Sequence, residues 1–235
     1  MSTSSAIAID DASGAVDCQS FLVVCHRISR RRLFLTVALT VTIIFLSSAV
    51  AWNGRVPAWE RSILEFFNAW PDVLEPLFWV LQQPGVLLAP VVVGLAIASV
   101  TRRWQHFVAF AAVLPLKLAI EKGLIKQLVQ RERPFVSVGP SVDVRGPAFE
   151  GLSFPSGHTT TAFATAILLV AFLPRRWRPI PIAWATIVGI ARIYYGEHNA
   201  LDVAAGAAMG TLFATVLWFG FLNRTAHPDC ACADR

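Results

Sequence analysis

Long apolar runs fenced by clustered arginines constrain the fold of this chain more than any other feature. Arg30, Arg31 and Arg32 precede one run, Arg102 and Arg103 separate two more, and Arg175, Arg176 and Arg178 separate a later pair. A run of about 20 residues, rising 1.5 Å each, crosses the hydrocarbon core of a bilayer. Six spans are expected, at 33–52, 77–100, 104–130, 156–173, 180–194 and 202–222, the second interrupted by Pro84, Gly85 and Pro90. The expected fold class is all-α, a polytopic membrane protein with a bundle of six transmembrane helices. Composition agrees: 15% of residues are charged, against about 25% in soluble domains.

Placing the arginine clusters on one side puts 11 of the 20 Lys and Arg residues in the cytosol, with both termini. Residues 1–29 then read as a disordered cytosolic tail, 30–222 as the membrane domain and 223–235 as a second cytosolic tail. Ala49, Val50 and Ala51, at the end of the first run, also suit a secretory leader with a small-residue cleavage site. The net charge of +5 lies at the edges of apolar segments, which argues against a nucleic-acid footprint. Cys18, Cys25, Cys230 and Cys232 lie in the terminal segments and suggest no disulfide framework. Cys230 and Cys232, one residue apart, read as reduced tail thiols or as a weak metal signal.

Between the first two spans, Trp59, Ile63, Phe66, Phe67 and Trp70 recur at helical spacing beside Glu60, Arg61 and Glu65. This pattern predicts a short interfacial helix with no part in chemistry. Lys117 and Glu121, four apart in the third run, are expected to form an intramembrane ion pair. Arg145 and Glu150 are expected to be exposed loop charges.

Three polar blocks carry the chemistry. In the first, Lys126 and Arg133 are nearly two turns apart and share a side if the helix persists, followed by Pro134. Two cations held together suit an anion such as phosphate, or equally a basic edge touching lipid headgroups. The second is Pro155, Ser156, Gly157 and His158, directly before an apolar helix. Ser156 suits an N-cap, Gly157 lets backbone approach a ligand, and His158 can supply a proton; the same residues suit an ordinary helix start. In the third, His198 and Asp202 are one turn apart, so the carboxylate can fix the imidazole tautomer, and Arg192 adds a cation. A capped helix start with a structural Asp–His contact has the same pattern. All three blocks fall on one expected side of the membrane, and together they amount to a phosphoryl-transfer site.

These blocks resemble those of the type 2 phosphatidic acid phosphatase and vanadium haloperoxidase superfamily: Lys-x6-Arg-Pro, then Pro-Ser-Gly-His, then Ser-Arg-x5-His-x3-Asp. They read here as Lys126 to Pro134, Pro155 to His158, and Ala191 with Arg192 through His198 to Asp202, over about residues 75–222. Ala191 stands where the family often has Ser. The resemblance implies a membrane phosphatase domain in which His198 attacks phosphorus, Asp202 orients it and His158 protonates the leaving oxygen. Lys126, Arg133, Ser156, Gly157 and Arg192 would hold the phosphate, with no metal and no cofactor. Arg131 matches no position of the pattern. The implied substrate is a phosphorylated membrane lipid, such as phosphatidic acid, phosphatidylglycerol phosphate or a polyprenyl diphosphate, met at the outer face of the cell membrane. A lipid phosphotransferase with the same intermediate and a non-enzymatic transporter or scaffold are the alternatives. Haloperoxidase chemistry fits less well, because the soluble branch of the superfamily lacks these spans.

Overall fold

The computed structural model describes residues 24, 27–146 and 151–226, so the four cysteines and Glu150 lie outside the described residues. Helix α1, Arg30–Ala51, starts where the Ser29 hydroxyl accepts from the Arg32 amide. A short helix, α2, Ala58–Asn68, follows. The expected second span is split: α3, Glu75–Leu81, gives way at Pro84 to a tight turn before α4, Ala89–Thr101. Proline lacks the amide that a continuous helix would need there.

The third rod runs through α5 (Trp104–Ala111), α6 (Val113–Leu116), a π-helical stretch (Lys117–Ile125) and α7 (Lys126–Val129). After α8, Pro134–Ser137, come α9 (Gly157–Val170), α10 (Pro179–Tyr194) and α11 (Ala200–Leu217). A π-helical turn, Trp218–Leu222, leads from α11 into α12, Asn223–Thr225. The described residues contain no strand. Two rods, Arg30–Gly54 and Ala200–Thr225, are by themselves long and apolar enough to cross a membrane; α4 and α9 are shorter apolar helices.

The core is built on α9 and α11, which approach through small residues. A Cβ on Gly210 would collide with the Thr160 carbonyl oxygen, and one on Gly206 would stand 2.6 Å from that of Ser156. Without a hydrophobic drive between helices in lipid, such backbone proximity supplies the van der Waals contact that joins them. Helix α1 lies along α11 and stays largely uncovered, 11% buried over its apolar window.

One end of the bundle is tied by polar side chains. His106 bridges Thr101 (2.8 Å) and Thr225 (3.0 Å). Asn223 bonds both the amide and the carbonyl of Ile28 at 2.9 Å, and Arg27 donates to the Ala226 carbonyl. Within the segment 1–29, most of which is expected to be a disordered tail, Val24 is buried in the core and residues 27–28 dock on the last helix. Apolar burial and paired amides outweigh the polar composition there.

Candidate functional site

The polar blocks meet at the opposite end, and backbone contacts set their positions. Helix α7 stops at Gln130, whose left-handed backbone (φ 51°) turns the chain, and Arg133 begins α8 instead of continuing the rod. The expectation that Lys126 and Arg133 share a face of one persisting helix is thus corrected. They meet because their partners meet. Lys126 Nζ donates to the carbonyls of Leu152 and Pro155 at 2.9 Å, pulling the 152–155 turn onto α7. The Ser153 amide donates to the Arg131 carbonyl at 2.7 Å, and the Ser156 amide to that of Asp202 at 2.9 Å. The starts of α9 and α11 are thereby sewn to the segment that follows α7.

Ser156 takes the N-cap position of α9 without a side-chain capping bond; its hydroxyl accepts from Thr159. A Cβ on Gly157 would meet Glu121 Oε1 at 2.8 Å and Lys117 Nζ at 3.1 Å. Both charges therefore turn toward the start of α9. They lie within electrostatic reach of one another, as expected of the pair, but no direct salt bridge joins them among the described residues. They lie on the π-helical stretch. Arg192, His198, Lys117 and Arg133 all lie within electrostatic reach of His158.

At the end of α10 the chain doubles back. The amides of Glu197 and His198 both donate to the Arg192 carbonyl, at 3.2 and 3.3 Å. Gly196 makes this possible with φ of 69°, and a Cβ there would lie 2.6 Å from the Asp143 carbonyl. Asn68 and Arg145 clamp this corner by donating to the Tyr194 carbonyl at 2.9 Å. Arg145 is therefore buried against α2, with its guanidinium 4.3 Å from the Tyr194 ring centre, and is not the exposed loop charge expected of it. Carbonyl groups orphaned at the α10 end recruit it.

Asp202, on the first turn of α11, accepts from the Asn199 amide through Oδ2 and from Arg131 through Oδ1, each at 2.8 Å. His198 Nδ1 faces the same Oδ2 at 3.6 Å. Such contacts often stay long until a ligand is bound. Burial pushes the His198 imidazole down to about 3 despite the neighbouring Asp202 carboxylate, so the ring is neutral and carries a lone pair. Burial also works against the charge of Arg131, but Asp202 and Glu60 outweigh it and hold its pKa above the ordinary guanidinium value. Arg133 is lowered, with burial the leading cause.

Arg131, Glu60, Glu197 and Gln82 belong to this site although sequence reasoning passed them over. Arg131 is 0% exposed and joins Glu60, at 2.5 Å, to Asp202. Glu60 also accepts from the Leu201 amide at 2.8 Å, so the segment expected to do no chemistry supports the histidine–carboxylate pair. Its aromatic stripe misled: α2 buries Glu60, Leu64 and Asn68 and leaves Trp59 and Phe66 exposed. In a membrane the apolar face turns outward and the polar face inward. Glu197 joins Arg133 (3.0 Å) to Arg192, and Arg192 also donates to Gln82 at 2.5 Å. The available signal was position, since Arg131 and Glu197 lie inside the polar blocks.

The arrangement offers a neutral imidazole backed by a carboxylate, a second histidine at a helix start, and guanidinium groups facing the same space. Such a set can hold a phosphoryl group and transfer it. The PAP2 superfamily model matches residues 104–226. A lipid A 4'-phosphatase of Bacteroides thetaiotaomicron is 31% identical over 119 residues, 48% of this chain and 53% of that protein. A decaprenylphosphoryl-5-phosphoribose phosphatase of Mycobacterium tuberculosis is 34% identical over 123 residues, 52% of this chain and 64% of that protein. The matches thus span between half and two thirds of the length of these relatives. The crystal structure of a transmembrane PAP2-type phosphatidylglycerolphosphate phosphatase from Bacillus subtilis has the same fold, with a TM-score of 0.66 at 22% identity, covering 82% of this chain and 98% of that one.

Proposed function

The chain belongs to the PAP2 superfamily, and we propose that it is a lipid phosphatase working through a phosphohistidine. It is a membrane protein. His198 Nε2 attacks phosphorus as the bond to the lipid oxygen breaks, while Asp202 holds the Nδ1 side of the ring. His158 gives a proton to the departing oxygen, then takes one from the water that cleaves the phosphohistidine and releases inorganic phosphate. Arg133, Arg192, the Ser156 hydroxyl and the Gly157 amide receive the phosphate oxygens, while Lys126 adds its charge and holds the 152–155 turn. These groups offset the negative charge that phosphoryl transfer spreads over three oxygens. The reaction as written uses no metal.

The observation that carries this reading is the convergence of Arg133, Arg192, the start of α9 and the His198–Asp202 pair in one place. An apolar cavity of about 700 Å³ beside α7, lined by Phe45, Ile125, Leu128, Met209 and Phe213 among others, supports a lipid over a soluble substrate. The chain crosses the cell membrane six times, with both termini in the cytosol and the site on the outer face. Support for that topology comes from the arginine clusters, which sit at the bundle end where residues 27–28, 101–106 and 225–226 are tied together.

The test is phosphate release by the detergent-solubilised full chain from phosphatidic acid, phosphatidylglycerol phosphate and a polyprenyl diphosphate, with EDTA present. At least one lipid should be hydrolysed, and His198→Ala should abolish the release. Release at the parental rate by that variant would end the phosphohistidine mechanism; no release from any of the lipids would end the phosphatase reading.

A further inference from the structure

Glu197 is a carboxylate that touches both guanidinium groups assigned above to phosphate. A single oxygen, Oε2, pairs with Arg133 NH1 at 3.0 Å and with Arg192 NH2, and the side chain is 2% exposed. One oxygen shared between two guanidinium groups is also how a phosphate oxygen would sit between them. The main chain has its own tie, since Arg133 NH1 donates to the Glu197 carbonyl at 3.3 Å. The carboxylate can therefore swing out while the backbone before His198 stays in place.

We infer that Glu197 is a resident counter-anion of the phosphate site, which a ligand must displace, and that it selects phosphomonoester dianions over phosphodiester monoanions. The inference rests on reading Arg133 and Arg192 as the phosphate clamp. Within the site, Lys117, Lys126, Arg131, Arg133 and Arg192 face Glu60, Glu121, Glu197 and Asp202, five cations against four carboxylates among the described residues. With so small an excess, replacing one carboxylate by a monoanion changes the charge balance by nothing. Replacing it by a dianion adds one attractive charge in a buried setting, where water screens little. A bilayer presents phosphodiester headgroups in great excess, and a site open to them would be filled by non-substrates.

The experiment compares methyl phosphate with dimethyl phosphate as ligands of the full chain in detergent, at about pH 8, where the monoester is a dianion. Binding is read by thermal shift, without turnover. Wild type should prefer methyl phosphate by about tenfold or more. In Glu197→Gln, dimethyl phosphate should bind about tenfold more tightly than to wild type, and phosphatidylglycerol should become an inhibitor of phosphate release. Unchanged preference in Glu197→Gln, parallel weakening of both ligands, or binding of neither by wild type would overturn the inference. Should Glu197→Gln fail to fold, Glu197→Asp, too short to span both arginines, replaces it with the same expected direction. Wild type that binds methyl phosphate selectively yet hydrolyses no lipid would instead sink the phosphatase reading alone.

Discussion

Arg131 and Asp202 form an ion pair at 2.8 Å with both side chains fully buried. Through it, the carboxylate beside His198 is tied to Glu60 on α2. Burying charges costs heavily unless every partner is present. Removing Arg131 leaves two carboxylates facing each other without a cation. Arg131→Ala should therefore destabilise the protein by about 3–5 kcal/mol, read as a lowered thermal midpoint in detergent. Arg131→Lys should rescue only part of this, because an ammonium cannot serve Glu60, Asp202 and the Arg55 carbonyl in one plane. A midpoint unchanged by Arg131→Ala would show that the pair contributes nothing.

His158 is assigned the proton for the leaving oxygen. His158→Ala should slow first-turnover release of the alcohol from an alkyl phosphate by about 10²–10⁴-fold, and should slow the first-turnover burst of nitrophenol from a nitrophenyl phosphate far less, because that leaving group needs no proton. Equal losses on both substrates would remove His158 from acid catalysis.

His198 supplies a pH dependence whose sign is fixed by its depressed pKa. Folded, it titrates at about 3; its ordinary value is 6.5. Between these values the unfolded chain binds a proton that the folded chain does not, so unfolding gains as pH falls. The stability contributed by the neutral ring is complete above 6.5 and is lost progressively as pH falls toward 3. Thermal midpoints measured from neutral to acid pH should fall over that window, and should fall less in His198→Gln. An identical slope in the variant would assign the acid sensitivity to other groups.

Gly210 lies where α11 touches the Thr160 carbonyl of α9. Gly210→Ala forces the helices apart and should cost about 1–3 kcal/mol, with a loss of activity because both helices begin at the site. Gly220, with open space around its α carbon, is the control: Gly220→Ala should leave the midpoint unchanged or slightly raised.

Part of this arrangement is legible in the sequence. Arg192, His198 and Asp202 stand at spacings that a chain reversal and a single helical turn translate into proximity, whereas Arg133 and His158 reach them only through long-range contacts. The same local logic failed for Lys126 with Arg133, because the left-handed Gln130 interrupts the helix.

By itself, the sequence determined that this chain is helical and membrane-borne and that its polar blocks suit phosphate. Hydropathy and short-range periodicity depend only on residues close together in the chain. Only the tertiary structure decided that Glu60 supports Asp202 across 142 positions, that Arg145 is buried, and that Glu197 pairs with both Arg133 and Arg192. Those are long-range choices, made where buried charges must find partners, and no local pattern says which carboxylate will reach which guanidinium.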